Sequence, residues 1–168
     1  TKLPWRSVGR NLAATATTPG KQRKSGLTFD HLALHPLTLR GLRESFGFSE
    51  ATEVQAQVLP RVLAPDAPGS DFVIHARAGT GKTLAYLIPA VEHLIKNPPP
   101  GVGVLILAPS RELVLQITKD AETLCSYHAL QIVPLIGGIR RDKDEALIRR
   151  RRPAILVGTI WKLLEHFE

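Results

Sequence analysis

One stretch, DFVIHARAGTGKTLAYLIPA at residues 71–90, limits most strongly what this chain can fold into. A short apolar run comes first, then a loop that ends in Gly81-Lys82-Thr83, then an apolar segment with helical spacing. Glycines let a backbone turn so tightly that several N–H groups point at one place, and a helix start adds a partial positive charge there. The order strand, glycine loop, helix therefore predicts a phosphate-binding loop.

Each residue of this loop has an expected task. The backbone N–H groups are expected to face phosphate oxygens, while the Lys82 ammonium reaches the β- and γ-phosphates and the Thr83 hydroxyl holds Mg²⁺. Ala76 stands where such loops usually have their first glycine, but that position needs only a small residue. A chance glycine turn is the alternative, and the apolar segments on both sides argue against it. The predicted phosphate-binding residues are Ala78, Gly79, Thr80, Gly81, Lys82 and Thr83.

Apolar segments alternate with helical patterns along the rest of the chain. Two helical segments, LTLRGLRESFGF and TEVQAQVLPRVLA, precede the loop, and GVLILAP, LQIVPLIGG and PAILVGT follow it as apolar strands separated by helices. The last two helices are IRRDKDEALIRRR and the start of WKLLEHFE. This alternation predicts an α/β fold with a parallel sheet and helices on both faces. No apolar run approaches the roughly 18 residues of a membrane span.

The net charge of +7 is concentrated at the N-terminus. Residues 1–26 contain six basic residues and no acid, whereas residues 27–168 carry 16 basic and 15 acidic groups. We therefore expect a flexible basic arm at 1–26 and one domain at 27–168. An arm that is basic, hydroxyl-rich and free of acids is typical of mitochondrial targeting, and a solvated tail on a nuclear or cytoplasmic protein is the alternative.

Cysteine and histidine usage excludes two classes of site. The single cysteine, Cys125, rules out a disulfide framework and is expected to be a small core residue. The six histidines are scattered and have no acidic partners at metal-ligand spacing.

Five ordered stretches between Phe29 and Glu168 resemble the DEAD-box RNA helicases. They are Phe29 with GFSEATEVQ, then ARAGTGKT, APSRELVLQ, IGG and ILVGTIWKLLEHFE. The resemblance implies an incomplete RecA-like P-loop NTPase domain. The sequences of these stretches are similar to those of a mitochondrial-type branch of the family. It also implies ATP and Mg²⁺ as cofactors, RNA as a partner, and a second RecA-like domain where a chain continues.

The resemblance assigns roles to individual residues. Phe29 is implied to stack on adenine, and Gln55 to hydrogen-bond its edge, because an amide offers both a donor and an acceptor. Arg111 and its neighbouring backbone are implied to contact RNA phosphates, and two glycines to let the RNA backbone approach closely. The implied RNA-binding residues are Pro109, Ser110, Arg111, Glu112, Gly137, Gly138 and Thr159.

Several positions depart from the family pattern. Ala78 and Ser110 stand where threonine is usual, and Ala51 and Val54 where proline and isoleucine are common. The sharpest departure is Ile160-Trp161-Lys162 in place of Pro-Gly-Arg. Trp161 is bulky, and Lys162 keeps the charge but loses the bidentate geometry of arginine, which weakens the expectation of an RNA contact there.

The catalytic Asp-Glu-Ala-Asp segment is not found within residues 1–168. Asp144-Glu145-Ala146-Leu147 comes close, but it falls in a charged helix, whereas the motif needs carboxylates at the tip of an apolar strand. We therefore assign no catalytic residue. The basic residues of this helix are interpreted as a solvated face, or as a surface that meets RNA phosphates.

Two functions remain open. Intact GTGKT, Gln55 and PSREL favour the ATP- and RNA-binding part of an ATP-dependent RNA helicase. The missing carboxylates and the IWK sequence favour a degenerate, non-catalytic scaffold in a ribosome or another RNA–protein assembly. An unrelated nucleotide-binding kinase is a weaker third reading, because the RNA-contact motifs argue against it.

Overall fold

The computed structural model describes residues 24–65 and 71–166, and these fall into two compact units. The first unit joins the described residues up to Ala33 to Glu50–Pro89, and the second joins Leu34–Ser49 to Ala90 and the residues after it. Most of the predicted arm lies outside the described residues. Residues 24–26, at the end of the predicted arm, belong to the strand β1, and the division into an arm at 1–26 and a domain at 27–168 stays a prediction.

The helices follow the sequence prediction closely, and the strands follow it in part. In chain order the elements are β1 (Lys24–Thr28), α1 (Pro36–Arg40), β2 (Glu50–Thr52), α2 (Glu53–Val62), α3 (Lys82–Lys96), β3 (Val104–Ala108), α4 (Arg111–Leu124), β4 (Ile132–Leu135), α5 (Arg141–Arg151), β5 (Ile155–Thr159) and α6 (Ile160–Leu164). A π-helical turn, Gly41–Ser45, extends α1. No helix of the described residues is long and apolar enough to cross a bilayer.

The first unit contains an antiparallel strand pair that the sequence did not predict. β1 pairs with β2, and α2 begins immediately after β2. Thr52 starts α2 with a capping box: its hydroxyl accepts from the Gln55 N–H at 3.4 Å, and the Gln55 Oε1 accepts from the Thr52 N–H at 2.9 Å. The two bonds satisfy backbone donors at the start of the helix and fix where it begins.

The predicted strand before the glycine loop, DFVIHA, does not form. Residues 71–77 have no strand pairing, and Val73 is 69% exposed. Apolar composition predicts burial, but a strand also needs a neighbour that pairs with its N–H and C=O groups. Nothing among residues 24–65 and 71–166 pairs with this segment as a strand, so the prediction of a loop at the carboxyl end of a strand is wrong here.

The second unit contains the parallel sheet that the apolar segments predict. Within the described residues its strand order is β3-β5-β4, and both pairings are parallel. The strand that comes last in sequence among these three, β5, is therefore the central one of the described sheet. Because all three strands run the same way, the loops after β3, β4 and β5 leave the sheet at the same edge.

Helices cover both faces of this sheet, as predicted. On one face, side chains from β4, β5, α5 and α6 form a cluster of Val133, Leu135, Leu147, Ile148, Leu156 and Leu163. Ile155 and Val157 alternate with Leu156 and so point to the opposite face, where both are fully buried. The helix α4 contacts all three strands and supplies the cover there. The α/β prediction is confirmed.

Cys125 is a core residue, as expected. It directly follows α4, its side chain is buried, and this burial raises the pKa of the thiol to about 12. A thiol with so high a pKa stays protonated near neutral pH and is a poor nucleophile.

Candidate nucleotide-binding loop and nucleic-acid interface

The glycine loop in the first unit has a backbone that only glycine adopts readily. Gly79 has φ +76° and Gly81 has φ +90°, and α3 begins at the next residue, Lys82. No atom lies within 4 Å of the place where a Cβ on Gly79 would be, whereas a Cβ on Gly81 would meet the Gln55 amide at 2.7 Å. The loop is therefore open at Gly79 and tightly packed at Gly81, which fits the approach of a phosphate group to the exposed backbone.

The Lys82 side chain folds back over this loop. Its ammonium donates to the backbone carbonyls of Ala76 and Arg77, at the start of the loop. The Thr80 hydroxyl also donates to the Arg77 carbonyl, at 2.8 Å. The positive charge thus lies at the mouth of the loop, where phosphate oxygens can replace the neutral carbonyls as stronger, charged acceptors.

Gln55 ties the start of α2 to the same loop. The side chain is buried, and while Oε1 accepts from the Thr52 N–H, Nε2 donates to the Gly81 carbonyl at 3.0 Å. An amide group has two N–H donors and two acceptor lone pairs, so one of each is left for a further partner. This leaves room for the adenine contact that the family resemblance implies, which stays a prediction.

The other residues predicted to bind nucleotide differ in their exposure to solvent. Ala78 is exposed, and Thr83 is half-buried in the first turn of α3, where a hydroxyl for Mg²⁺ is expected. Phe29 is only 1% exposed, so its ring would have to uncover a face to stack on adenine. The group Gly79, Gly81, Lys82 and Thr83 fits a bound polyphosphate with Mg²⁺; the role of Phe29 stays a prediction.

The residues predicted to contact RNA lie in the second unit, at the edge where the parallel strands end. Ser110 follows β3 and caps α4, with its Oγ accepting from the Leu113 N–H at 3.2 Å. Arg111 is exposed and is next to Glu112 in the chain. Glu112 is exposed, and its pKa is lowered because it accepts a hydrogen bond from its own backbone N–H and from Ser110.

The Arg111 guanidinium lies near the double glycine that follows β4. Gly138 has φ +92°, and a Cβ placed on it would lie 3.6 Å from the Arg111 guanidinium nitrogen Nη1. No atom lies within 4 Å of the Cβ position of Gly137. An exposed guanidinium therefore lies beside an open, side-chain-free turn, a suitable place for a phosphate group.

The helix α6, which directly follows β5, contributes to a buried charge cluster that the sequence did not predict. Lys162 is only 2% exposed, and its ammonium lies 2.9 Å from Asp144 Oδ2, 2.7 Å from Glu165 Oε2 and 2.6 Å from the Ile139 carbonyl. Asp144 is 1% exposed, and His166 Nε2 lies 3.5 Å from the same Oδ2. The Oδ2 atom has no aligned hydrogen bond to either group, so the contact between Lys162 and Asp144 is an ion pair. Lys162 therefore has an internal role.

The pKa values in this cluster shift in the directions that the contacts require. The pKa of Lys162 is raised, chiefly because its ammonium donates to Glu165, and also because it lies beside Asp144; burial opposes the shift. The pKa of Glu165 is lowered, chiefly by the hydrogen bond from Lys162. Both groups are charged at neutral pH. A basic residue at 162 and an acid in α5 were visible in the sequence, but nothing in their spacing showed that they meet.

The Asp-Glu pair in α5 has a structural role. Asp144 and Glu145 lie in the helix Arg141–Arg151, as predicted, and Asp144 contacts Lys162. Glu145 pairs with Arg141 and Arg149 on the exposed side. Neither carboxylate lies at the tip of a strand, so the interpretation of this segment as a false match is confirmed.

Comparison with protein-family models settles the family. The model that matches is described as DEAD/DEAH box helicase, and the match covers residues 52–168, more than half of the chain. The chain belongs to the DEAD/DEAH box helicase family. The match includes Gln55, the glycine loop and all three strand ends of the predicted RNA edge, but it starts after Phe29.

Relatives and solved structures agree with this placement. The chain is 40% identical over 144 residues to DEAD-box ATP-dependent RNA helicase 27 of Arabidopsis thaliana, covering 84% of this chain and 22% of that protein. It is 38% identical to ATP-dependent RNA helicase HAS1 of Saccharomyces cerevisiae over 157 residues, 91% of this chain and 30% of that protein. The DEAD-box chain thus spans less than a third of either relative.

Two solved structures share the fold. The yeast DEAD-box splicing factor Prp28 has a TM-score of 0.75 at 27% identity, with 83% of this chain and 34% of that chain covered. The DEAD-box helicase Mss116, solved with single-stranded RNA and UDP-BeF, has a TM-score of 0.74 at 27% identity, with 85% of this chain and 30% of that chain covered. The described DEAD-box fold is therefore a partial RecA-like domain.

Proposed function

We propose that this chain is the ATP- and RNA-binding part of an ATP-dependent RNA helicase. The observation that carries the proposal is the exposed Arg111 beside the open Gly137-Gly138 turn, at the carboxyl edge of a parallel sheet. Ligands of open α/β sheets bind outside the carboxyl ends of the strands. The names of the relatives, ATP-dependent RNA helicases, support the same reading.

Each unit carries one part of the proposed work. In the first, Gly79, Gly81 and Lys82 would hold the phosphates, Thr83 would hold Mg²⁺, and Gln55 would read adenine. Bound Mg²⁺ would neutralise phosphate charge. In the second, Ser110, Arg111 and the glycine turn would hold an RNA backbone without reading its sequence, because phosphate contacts position a strand but do not specify it.

We predict that Arg111→Ala weakens binding of single-stranded RNA about 10- to 100-fold, because hydrogen bonds to charged groups contribute about 1.5–3 kcal/mol each. Removing one phosphate contact should also reduce the slope of log affinity against log salt by about 0.7. Fluorescence anisotropy with a labelled oligonucleotide at several salt concentrations measures both. The matched control is Lys119→Ala, which removes one exposed positive charge two turns further along α4. Equal, small effects of the two changes would count against the proposed interface.

The second candidate is a non-catalytic scaffold in a ribosome or another RNA–protein assembly. The observation in its favour is that Lys162, at the position of the family arginine, is buried and turned to Asp144. A second RecA-like domain as partner and a mitochondrial location also stay predictions.

ATP hydrolysis separates the two candidates. We predict that residues 1–168 alone show no RNA-stimulated phosphate release, because hydrolysis needs a strand-tip carboxylate for Mg²⁺ and the attacking water, together with an arginine finger worth about 10³–10⁵ in rate. ATP binding without hydrolysis by these residues, restored to hydrolysis by adding a catalytic half in trans, supports the helicase. Robust turnover by these residues that depends on Lys82 would show that the catalytic group was overlooked.

A further inference from the structure

The exposed side of α6 is apolar, although it lies at the polar edge of the sheet. Trp161 is 78% exposed, and Ile160 and Leu164 on the same side of this short helix are also exposed. The opposite side holds the buried Lys162 and Leu163. An indole ring so exposed gains little for the fold, so a ring kept there in spite of its tendency to be buried points to a partner.

The backbone under Trp161 is firmly held. Lys162, the next residue, is fixed by Asp144, Glu165 and the Ile139 carbonyl. Leu163 packs into the apolar cluster on the sheet. It lies so close to Gly158 that a Cβ on Gly158 would be 2.8 Å from the Leu163 side chain. A rigid backbone matters because little conformational entropy is then lost when a partner binds. The indole is therefore presented ready for contact.

The surroundings of Trp161 favour a negatively charged partner with planar groups. The hydrogen bond from Lys162 to Ile139 joins α6 to the turn that follows β4, and the Arg111 Nη1 atom lies 3.6 Å from the place where a Cβ on Gly138 of the same turn would be. Three exposed acids lie on these segments. Asp142 and Glu165 each pair with a cation, Arg140 or Lys162, and Glu112 is next to Arg111 in the chain. An apolar ring on a helix that is joined to the turn near the Arg111 guanidinium matches single-stranded RNA, which offers both bases and phosphates, better than an apolar protein surface.

We propose that Trp161 stacks on a base of single-stranded RNA whose backbone is held by Arg111 and the Gly137-Gly138 turn. The inference rests on the proposed RNA-binding function and adds a contact to the base. Stacking tolerates every base, because each has a π face, and it needs a base that is not already stacked inside a duplex. Trp161 therefore selects single strands over duplexes without selecting sequence.

Binding of labelled single-stranded RNA to the whole chain tests this, with Trp5→Phe as the parent so that Trp161 is the sole indole. We expect Trp161→Ala to lower affinity about 5- to 150-fold, with the salt slope unchanged because no phosphate contact is lost. Trp161→Phe should keep most of the affinity, since a ring remains. Single-stranded RNA should quench the fluorescence of Trp161 in the parent. Duplex RNA should bind the parent and its Trp161→Ala variant with equal affinity.

The controls separate this inference from the function on which it rests. If Arg111→Ala weakens binding and Trp161→Ala does not, the interface stands and the stacking role is overturned. If the parent binds no RNA, the proposed function fails first. If Trp161→Ala leaves RNA affinity intact but abolishes self-association of the chain, the apolar face is a protein contact and the inference is overturned. An unchanged melting temperature in Trp161→Ala shows that the fold is intact.

Discussion

Asp144→Asn is expected to lower the free energy of unfolding by about 3 kcal/mol, near the lower end of what removing one partner of a buried ion pair costs. The change keeps the shape of the side chain but leaves the Lys162 ammonium, 2% exposed, without its buried counter-ion. Lys162 keeps its contacts with Glu165 and the Ile139 carbonyl, which is why the loss should not reach the upper end. Urea unfolding followed by circular dichroism measures the change.

The neighbouring acid provides the control for this prediction. Glu145→Gln breaks two exposed pairs, with Arg141 and Arg149, and should cost less than about 1 kcal/mol. The double variant Asp144→Asn/Lys162→Met removes both buried charges, and it should recover much of the stability that Asp144→Asn loses. Equal losses for Asp144→Asn and Glu145→Gln, or no recovery in the double variant, would show that the buried pair is not what stabilises α5 against α6.

Lys82→Ala is expected to weaken binding of a fluorescent ATP analogue at least about 100-fold, because the ammonium makes more than one charge-assisted hydrogen bond of about 1.5–3 kcal/mol each to the phosphates. In the free chain the same ammonium holds the loop through the Ala76 and Arg77 carbonyls. The variant therefore loses both a ligand contact and a loop contact.

Two further measurements separate these effects. Lys96→Ala removes a charge from the exposed end of the same helix and should leave nucleotide affinity unchanged. The melting temperature of Lys82→Ala without nucleotide reports the loop contact alone. An unchanged affinity for the ATP analogue in Lys82→Ala would defeat the assignment of the glycine loop as the phosphate site.

Local patterns predicted the helices and three strands of this chain well. The helix α3 begins at Lys82 and ends at Lys96, as its spacing indicates, because both the glycine loop and the NPPP break are written in the sequence. The prediction of a strand at DFVIHA was wrong because strand formation depends on more than local sequence. Its residues suit a strand, but pairing depends on a neighbour, and no local pattern reports whether one is present.

Of the candidate sites, only the residues that belong to sequence motifs were predictable. The glycines, Lys82 and Arg111 are recognisable because their chemistry needs those residue types at that spacing. The buried pair of Asp144 and Lys162 was not, since it joins residues that are distant in the chain and look like ordinary surface charges. Likewise, the structure places Phe29 in the core, a burial that its aromatic character alone does not distinguish from a stacking role.

The strand order of the second unit dictates when its sheet can form. Its central strand, β5, is the last of the three to leave the ribosome, because Ile155–Thr159 follows both Val104–Ala108 and Ile132–Leu135 in the chain. Until then neither β3 nor β4 has the partner with which it pairs among the described residues, and both apolar segments stay exposed with unpaired strand edges during synthesis. Such segments are open to aggregation or to chaperones. A chain released before Thr159 would carry the edges of this sheet without its middle.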